Sequence, residues 1–364
     1  MSILAIAGFA ALTGLQGATA ALAAWRLRPA RSVGPVERPF VTLLRPARGL
    51  DPFDLETLES SFDLDWPAYE IIFCVADPRD PACAALEGMI ARHPERQARL
   101  MIGEDQVTAN PKLNNLAKGW AAARGAEVVM ADANLLLPPD YLQRLFEVRD
   151  AGCTVVTSPA AGTRPSNFWG AVECAFLNGF QGRWQLAADS VGQGFTQGKT
   201  VMVRKDWLEA GGGLVALGRN LAEDVALTKL VRTRGGRVRL TRQMFAQPVG
   251  RRTARAVWDR QVRWSRVRRD GFAGLFALEI LQGILPPALL LLIFAPPIWL
   301  VPLAMVWFGI EWALARVSGW PHGPRDLAAM VLRDLMLPVL WGATFARRGF
   351  DWRGNAMGAA HDPA

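Results

Sequence analysis

The sequence predicts an α/β domain set between apolar segments that are long enough to enter a membrane. Three features carry that prediction. Short β-rich runs alternate with helical stretches between Pro39 and about Asp270. Charge is almost absent near the start and from roughly 271 to 315, yet dense in the middle. A length of 364 residues gives room for a domain of ordinary size together with membrane segments.

No charged residue occurs from Ser2 to Trp25, a stretch that crosses a hydrocarbon core as a helix of about 20 residues or more. Residues 1–25 therefore read as a transmembrane helix. A cleaved signal peptide carries its positive charge ahead of the apolar run. Here Arg26, Arg28, Arg31 and Arg38 follow it, despite a cleavage-like Ala18-Thr19-Ala20. The positive-inside rule then makes residues 38–270 a cytoplasmic domain.

Gly271 to Ala315 holds only Glu279 and Glu311 as charges, with Pro296-Pro297 in the middle, so 271–315 is expected to be a transmembrane helical hairpin. Leu327 to Ala346 is apolar but carries Arg333 and Asp334 near its centre. Residues 326–346 can span as a packed helix, re-enter, or lie at the interface, and the re-entrant or interfacial form is the expectation. Arg347, Arg348 and Arg353, in the tail 347–364, then stay on the cytoplasmic side. The alternative is a soluble protein with very apolar core helices.

The formal charge of +8 comes mostly from arginine. Such a balance points to nucleic acid, an acidic ligand or an anionic membrane surface. Cys74, Cys83, Cys153 and Cys174 have no C-x-x-C spacing and sit among apolar or small residues, as reduced thiols in a cytoplasmic domain do.

Strands are predicted at Phe40 to Leu44, Glu70 to Val75, Glu127 to Met130 and Thr154 to Ser158. Ligands of such sheets bind at the carboxyl ends of strands. The second run ends in Val75-Ala76-Asp77 and the third in Met130-Ala131-Asp132-Ala133-Asn134. An Asp-x-Asn pair there suits a hard divalent cation shared with the phosphates of a nucleotide diphosphate. It equally describes a turn or a helix cap. Glu223-Asp224 falls where a helix starts, so these acids either favour the helix N-terminus or do chemistry. The three histidines, His93, His322 and His361, are far apart. That leaves a serine or cysteine triad and a His-rich zinc site poorly supported, and a carboxylate as the available general base.

Arg260-Gln261-Val262-Arg263-Trp264 lies in an arginine-rich segment from Arg251 to Arg269 that also holds Trp258. Arginine interleaved with tryptophan can bind nucleic acid, hold a diphosphate and a sugar ring, or rest on anionic lipid. Because the segment runs almost directly into the apolar hairpin, the bilayer-surface site is better supported than nucleic acid.

In order, these motifs resemble the processive and lipid-directed branch of the inverting GT-A glycosyltransferases, whose pattern is Asp, Asp-x-Asp, Asp, then Q/R-x-x-R-W. The chain resembles more closely the ceramide glucosyltransferase family, glycosyltransferase family 21. That likeness rests on Asn110-Pro111-Lys112-Leu113-Asn114-Asn115-Leu116, on Val203-Arg204-Lys205-Asp206 with Ala210-Gly211-Gly212, and on Leu221-Ala222-Glu223-Asp224 with the later Arg-Gln-Val-Arg-Trp. It covers nearly the whole chain. The resemblance implies a GT-A domain in which Asp77 contacts the uridine part of the donor. It gives Asp132, with Asn134 where the strict pattern has its final Asp, the metal (Mg or Mn) and the diphosphate. Lys112 and Asn115 lie near the nucleotide, Asp224 is the catalytic base, and Arg260, Arg263 and Trp264 grip the diphosphate and border the acceptor entrance. The implied reaction moves glucose from UDP-glucose to the primary hydroxyl of ceramide, with inversion. Another UDP-sugar or another lipid, such as a hopanoid polyol, keeps the same chemistry. A polysaccharide synthase finds little room for a polymer channel among so few membrane segments. A non-catalytic membrane-surface or nucleic-acid-binding module is the reading from a different class. Arginine richness and a short chain point to a bacterial inner membrane.

Overall fold

The computed structural model describes residues 2–28, 38–149, 152–220, 222–346, 350–352 and 355–357. Arg31, Leu221, Arg347, Arg348 and Arg353 lie outside the described residues. The chain forms two compact units, one from Pro29–Ala160, Val191–Pro248 and Asp351–Ala364, the other from Met1–Arg28, Ala161–Ser190 and Val249–Phe350.

The first unit is built on strands β1 (Val41–Ala47), β2 (Tyr69–Val75), β3 (Gln97–Ile102), β4 (Glu127–Ala131) and β5 (Cys153–Thr157). After β6 (Ala160–Pro165) come β7 (Thr200–Arg204), β8 (Arg237–Leu240) and β9 (Phe245–Gly250). Seven of them make one sheet in the order β3-β2-β1-β4-β7-β5-β8, while β6 and β9 pair with each other. Strands β1 to β4 run parallel, and β7 is antiparallel to both its neighbours. The fold is of the α/β class expected, a mixed sheet with a parallel half. Val41, Leu43, Ile71, Phe73, Val75 and Val129 bury themselves on one face with Leu58, Phe62, Leu86 and Tyr141, and Leu44, Ile72, Cys74 and Val128 are buried on the other, the two-sided burial that parallel strands require.

Two departures from the sequence reading have physical causes. β1 runs on to Ala47 rather than ending at Leu44 because Arg45 is wholly buried. Its Nη2 donates to the carbonyls of Thr57, Ala133 and Leu135 at 2.8, 3.2 and 3.1 Å. Burial lowers its pKa to about 10. β3 escaped prediction because it is an edge strand with no fully buried residue.

The second unit is helical. Among the described residues, three of its helices are long and apolar enough to cross a membrane: Ile3–Arg26, Pro297–Val317 and Pro324–Thr344. The first limb of the expected hairpin is a bent pair instead, Ala273–Leu281 with Leu285–Leu291 at 52°. Gly283 takes a φ of +82° at the break. Pro286 and Pro287, in the first turn of the second piece, have no N–H to give. The freed Ile284 N–H donates to Asp334 Oδ2 at 2.9 Å.

Arg333 and Asp334, the charges that interrupt the last helix, are buried inside this unit. Arg333 Nη2 pairs with Glu311 Oε2 at 2.5 Å and its Nε with Asp334 Oδ1 at 2.8 Å. Arg183 lies 3.5 Å from Glu311 and donates to Gln16 at 2.6 Å, while Trp307 donates to Asp334 at 2.9 Å. Charges at this depth are tolerated because each has a partner.

Candidate active site

The parallel strands place their carboxyl ends at one edge of the sheet. Sequence neighbours diverge there, since β1 has β2 on one side and β4 on the other, and a crevice opens where strand order reverses. A cavity of about 870 Å³ fills it. Pro46, Ala47 and Arg48 line it from the end of β1, Ala76 to Asp80 from the end of β2, and Asp132 to Asn134 from the end of β4. Lys112, Asn114 and Asn115 reach it from the helix Pro111–Ala122.

Local sequence explains each wall. Asp80 caps the helix Pro81–Arg92, accepting from Ala82 N at 2.9 Å, and its two oxygens also take the Gly49 N–H at 3.0 and 2.8 Å. Asn110 caps Pro111–Ala122 through Lys112 N at 2.9 Å, with Pro111 at the first helical position where no N–H is needed. Asn114 folds the preceding loop by accepting from Val107 N and Thr108 N at 3.1 and 2.9 Å. Asn115 is largely structural: Nδ2 donates to the Cys74 carbonyl at 2.8 Å and Oδ1 accepts from Lys118 at 2.9 Å. Asp77 is held by Arg79 through bonds of 3.1 and 2.9 Å, which keep its carboxyl below the ordinary range.

At the deep end stands an ionic cluster. Lys112 Nζ touches Asp132 Oδ1 at 2.8 Å, Glu223 Oε1 at 2.7 Å and the Gly198 carbonyl at 2.9 Å. Lys199 Nζ takes Asp132 Oδ2 and Asn134 Oδ1, each at 3.0 Å. Burial alone would raise the Asp132 pKa, but the two ammonium groups outweigh it and hold the carboxyl well below its usual range. For Lys112, burial pulls the pKa down and the charges of Asp132 and Glu223 carry it above its normal value.

Asp224 lies one backbone link away. The Gly198 N–H donates to its Oδ2 at 3.2 Å and Val225 N–H to its Oδ1 at 2.8 Å. Burial, reinforced by the neighbouring Glu223 charge, pushes its pKa up to about 6. A carboxyl so poised is ionised at neutral pH yet basic enough to take a proton from a hydroxyl. Gly198 leaves little room for a side chain here: a Cβ on it would meet Glu223 Oε1 at 2.9 Å, so that carboxylate would have to give way, while Asp224 Oδ2 at 3.7 Å would be in ordinary contact.

Against this geometry, residues 6–364 match one family along nearly their whole length. The chain belongs to glycosyl transferase family 21. It is similar to ceramide glucosyltransferase 1 of Caenorhabditis elegans, 26% identical over 256 residues, covering 70% of this chain and 55% of that protein. Thus the alignment spans about half of that relative's length. Ceramide glucosyltransferase 3 of the same organism is 22% identical over 335 residues, covering 88% of this chain and 72% of the relative. Among solved structures, the mannosyltransferase from Pyrobaculum calidifontis, in complex with GDP-Man and Mn2+, superposes with a TM-score of 0.55. It is 18% identical and covers 95% of this chain and 96% of its own. That likeness supports the GT-A fold of this family 21 member.

Of the residues singled out in the sequence, Asp77, Lys112, Asn115, Asp132 and Asn134 line one cavity; Asp224 is not among its lining residues and is linked to Lys112 through the Gly198 peptide. Arg260, Arg263 and Trp264 belong to the helical unit, on Ala254–Gly271. There Arg260 Nη1 pairs with the buried Glu173 at 2.8 Å and stacks over Trp264 at 5.8 Å from the ring centroid. Trp264 packs against Cys174, Leu177 and Val249. Sequence reasoning missed Gly198, Lys199 and the anchoring role of Glu223. A Gly-Lys pair ahead of a strand has no periodicity to mark it, though Gln197-Gly198-Lys199-Thr200 is a turn-like entry to a β-rich run.

No group of three His, Cys, Asp or Glu side chains suited to a metal occurs among the described residues. The Asp-x-Asn pair nevertheless fits a hard cation, because Asp132 Oδ2 and Asn134 Oδ1 already share one positive charge, the Lys199 ammonium.

Proposed function

We propose that the chain is a membrane-bound glucosyltransferase carrying glucose from UDP-glucose to the primary hydroxyl of ceramide, with inversion, at the cytoplasmic face of a bacterial inner membrane. One observation carries the reading: a carboxylate poised near pH 6, Asp224, stands one peptide from a lysine–aspartate cluster at the strand tips. Names of the relatives support the acceptor and sugar. Large apolar side chains left exposed on the candidate spans, among them Leu4, Ile298, Val301, Met305 and Val339, support a lipid surround.

In this reading the cavity takes the nucleotide, with Asp77 toward the uridine and Lys112 toward the phosphates. Asp132 and Asn134 would hold Mg or Mn, which when bound offsets charge on the departing diphosphate. Asp224 removes the proton of the acceptor hydroxyl as that oxygen attacks the anomeric carbon from the side opposite the leaving group. A single base meets the needs of this route, whereas a retaining double displacement needs a second, nucleophilic carboxylate. In the helical unit, Arg260, Arg263 and Trp264 supply the guanidinium and ring chemistry that their motif implies.

The test is incubation of the detergent-solubilised protein with a panel of UDP-sugars and lipids, with and without Mg or Mn, read by mass analysis. Glucosylceramide is the expected product. Transfer to a hopanoid polyol and not to ceramide would overturn the acceptor. Asp224→Asn is expected to bind UDP-glucose as wild type does while transfer falls about 10²- to 10⁴-fold. Wild-type transfer by that variant overturns the base assignment.

A further inference from the structure

Lys199 is a residue that neither the motifs nor the proposed chemistry requires, yet it occupies the position the chemistry assigns to a metal. Its ammonium bridges Asp132 Oδ2 and Asn134 Oδ1 at 3.0 Å each, and its own carbonyl accepts the Asp132 N–H at 3.0 Å. Backbone and side chain thus clasp the same aspartate from both ends. Lys112 is placed differently. It takes Asp132's other oxygen and is tied to Glu223 and to the Gly198 carbonyl, with no bond to Asn134 among the described residues. Three-quarters of the Asp132 side chain is covered, and a carboxylate so placed needs a counter-charge at all times.

We infer that Lys199 is a resident counter-ion of the donor site. It holds Asp132 and Asn134 together in the free protein, competes with a divalent cation for these two oxygens, and is released toward the phosphates of a nucleoside diphosphate when the cation enters. The inference rests on the donor-site reading above. Its consequence is a site whose metal affinity is deliberately weak until the diphosphate arrives. The incoming phosphates then give the displaced ammonium a new partner, so cation and donor help each other to bind.

The test uses the full-length protein in detergent, with Mn2+ as the probe. Mn2+ binding without nucleotide is followed by electron paramagnetic resonance, and UDP binding by calorimetry. Lys199→Met is expected to bind Mn2+ about ten-fold more tightly than wild type, the size of a lost competing charged hydrogen bond. It should show a smaller enhancement of Mn2+ affinity by UDP, while Lys199→Arg stays near wild type. Unchanged or weaker Mn2+ binding by a folded Lys199→Met overturns the exchange. Amine labelling of the wild-type protein, read residue by residue by mass spectrometry, gives a second measure needing no variant. Labelling of Lys199 should rise on addition of Mn2+ and fall when UDP follows, and indifference to Mn2+ overturns the proposal. UDP binding without any Mn2+ binding overturns the exchange but leaves the nucleotide site standing. Failure to bind either ligand removes the donor-site reading and this one with it.

Discussion

Two ionic clusters, each of two cations, one aspartate and one glutamate, serve the two units in opposite ways. In the sheet unit, Lys112, Lys199, Asp132 and Glu223 retain 14, 13, 25 and 18% of their side-chain exposure, and Lys112 and Asp132 line a cavity. In the helical unit, Arg183, Glu311, Arg333 and Asp334 retain 5, 3, 1 and 2%. The first set can trade one partner for another because a ligand can reach it. The second is enclosed, so its ions answer to one another and to neighbours such as Gln16 and Trp307, and fix which helix faces meet. Pairing of charges therefore tells little by itself; the route from solvent decides whether a pair serves binding or assembly.

That contrast can be broken most forcefully at Arg333. Arg333→Met strands Glu311 and Asp334 and should destabilise the protein by about 3–5 kcal/mol, read as a lowered unfolding temperature in detergent. UDP affinity of the protein that remains folded should not change. Lys112→Met should do the reverse, weakening UDP binding about ten- to hundred-fold, the range of a charged hydrogen bond, with a smaller drop in unfolding temperature. Were Lys112→Met the more destabilising of the two, the distinction between open and enclosed clusters would fail.

A gentler probe is Gly198→Ala. The added methyl pushes on Glu223, which Lys112 and Asn110 hold in place, and overpacking of this kind costs about 1–3 kcal/mol. Transfer should fall about ten-fold in kcat with the fold intact, and an unchanged rate would show that the cluster yields more easily than its geometry suggests. The smallest effect is in pH. Asp224 must be ionised to accept a proton, and its raised pKa means that activity is lost as pH falls through about 6. The rate should climb with pH up to that point and then level off. Glu223→Gln removes a neighbouring negative charge and should move the inflection to lower pH. An inflection that stays put would assign the titration to another group.

Four of the seven strands of the sheet were legible in the sequence, and because β2 and β4 hold apolar runs, Ile71–Val75 and Val128–Ala131, ahead of polar tips, Asp77 and Asp132 could be placed at strand ends. Legibility stopped wherever a residue's environment contradicts its type. Arg45 looked like the end of a strand and lies buried within it, and Arg333, a charge that interrupts an apolar helix, is enclosed by Glu311 and Asp334. Lys199 was invisible for a different reason. Its partners are 67 and 65 residues away in the chain, and only the antiparallel pairing of β7 with β4 brings them together. The N–H freed at the Gly283 break likewise finds its acceptor far along the chain, at Asp334, 50 residues on.

Asp80 ties the turn after β1 to the turn after β2, since one carboxylate receives both the Gly49 and the Ala82 amides. Both turns contribute to the same wall of the cavity. Their joint freedom is surrendered as the chain folds, so a nucleoside bound in the proposed donor site would meet a mould already set, with little ordering left to be done on contact. Under that proposal, fidelity toward the base would depend on fit to a rigid rim, leaving adaptability to Lys112 and Lys199.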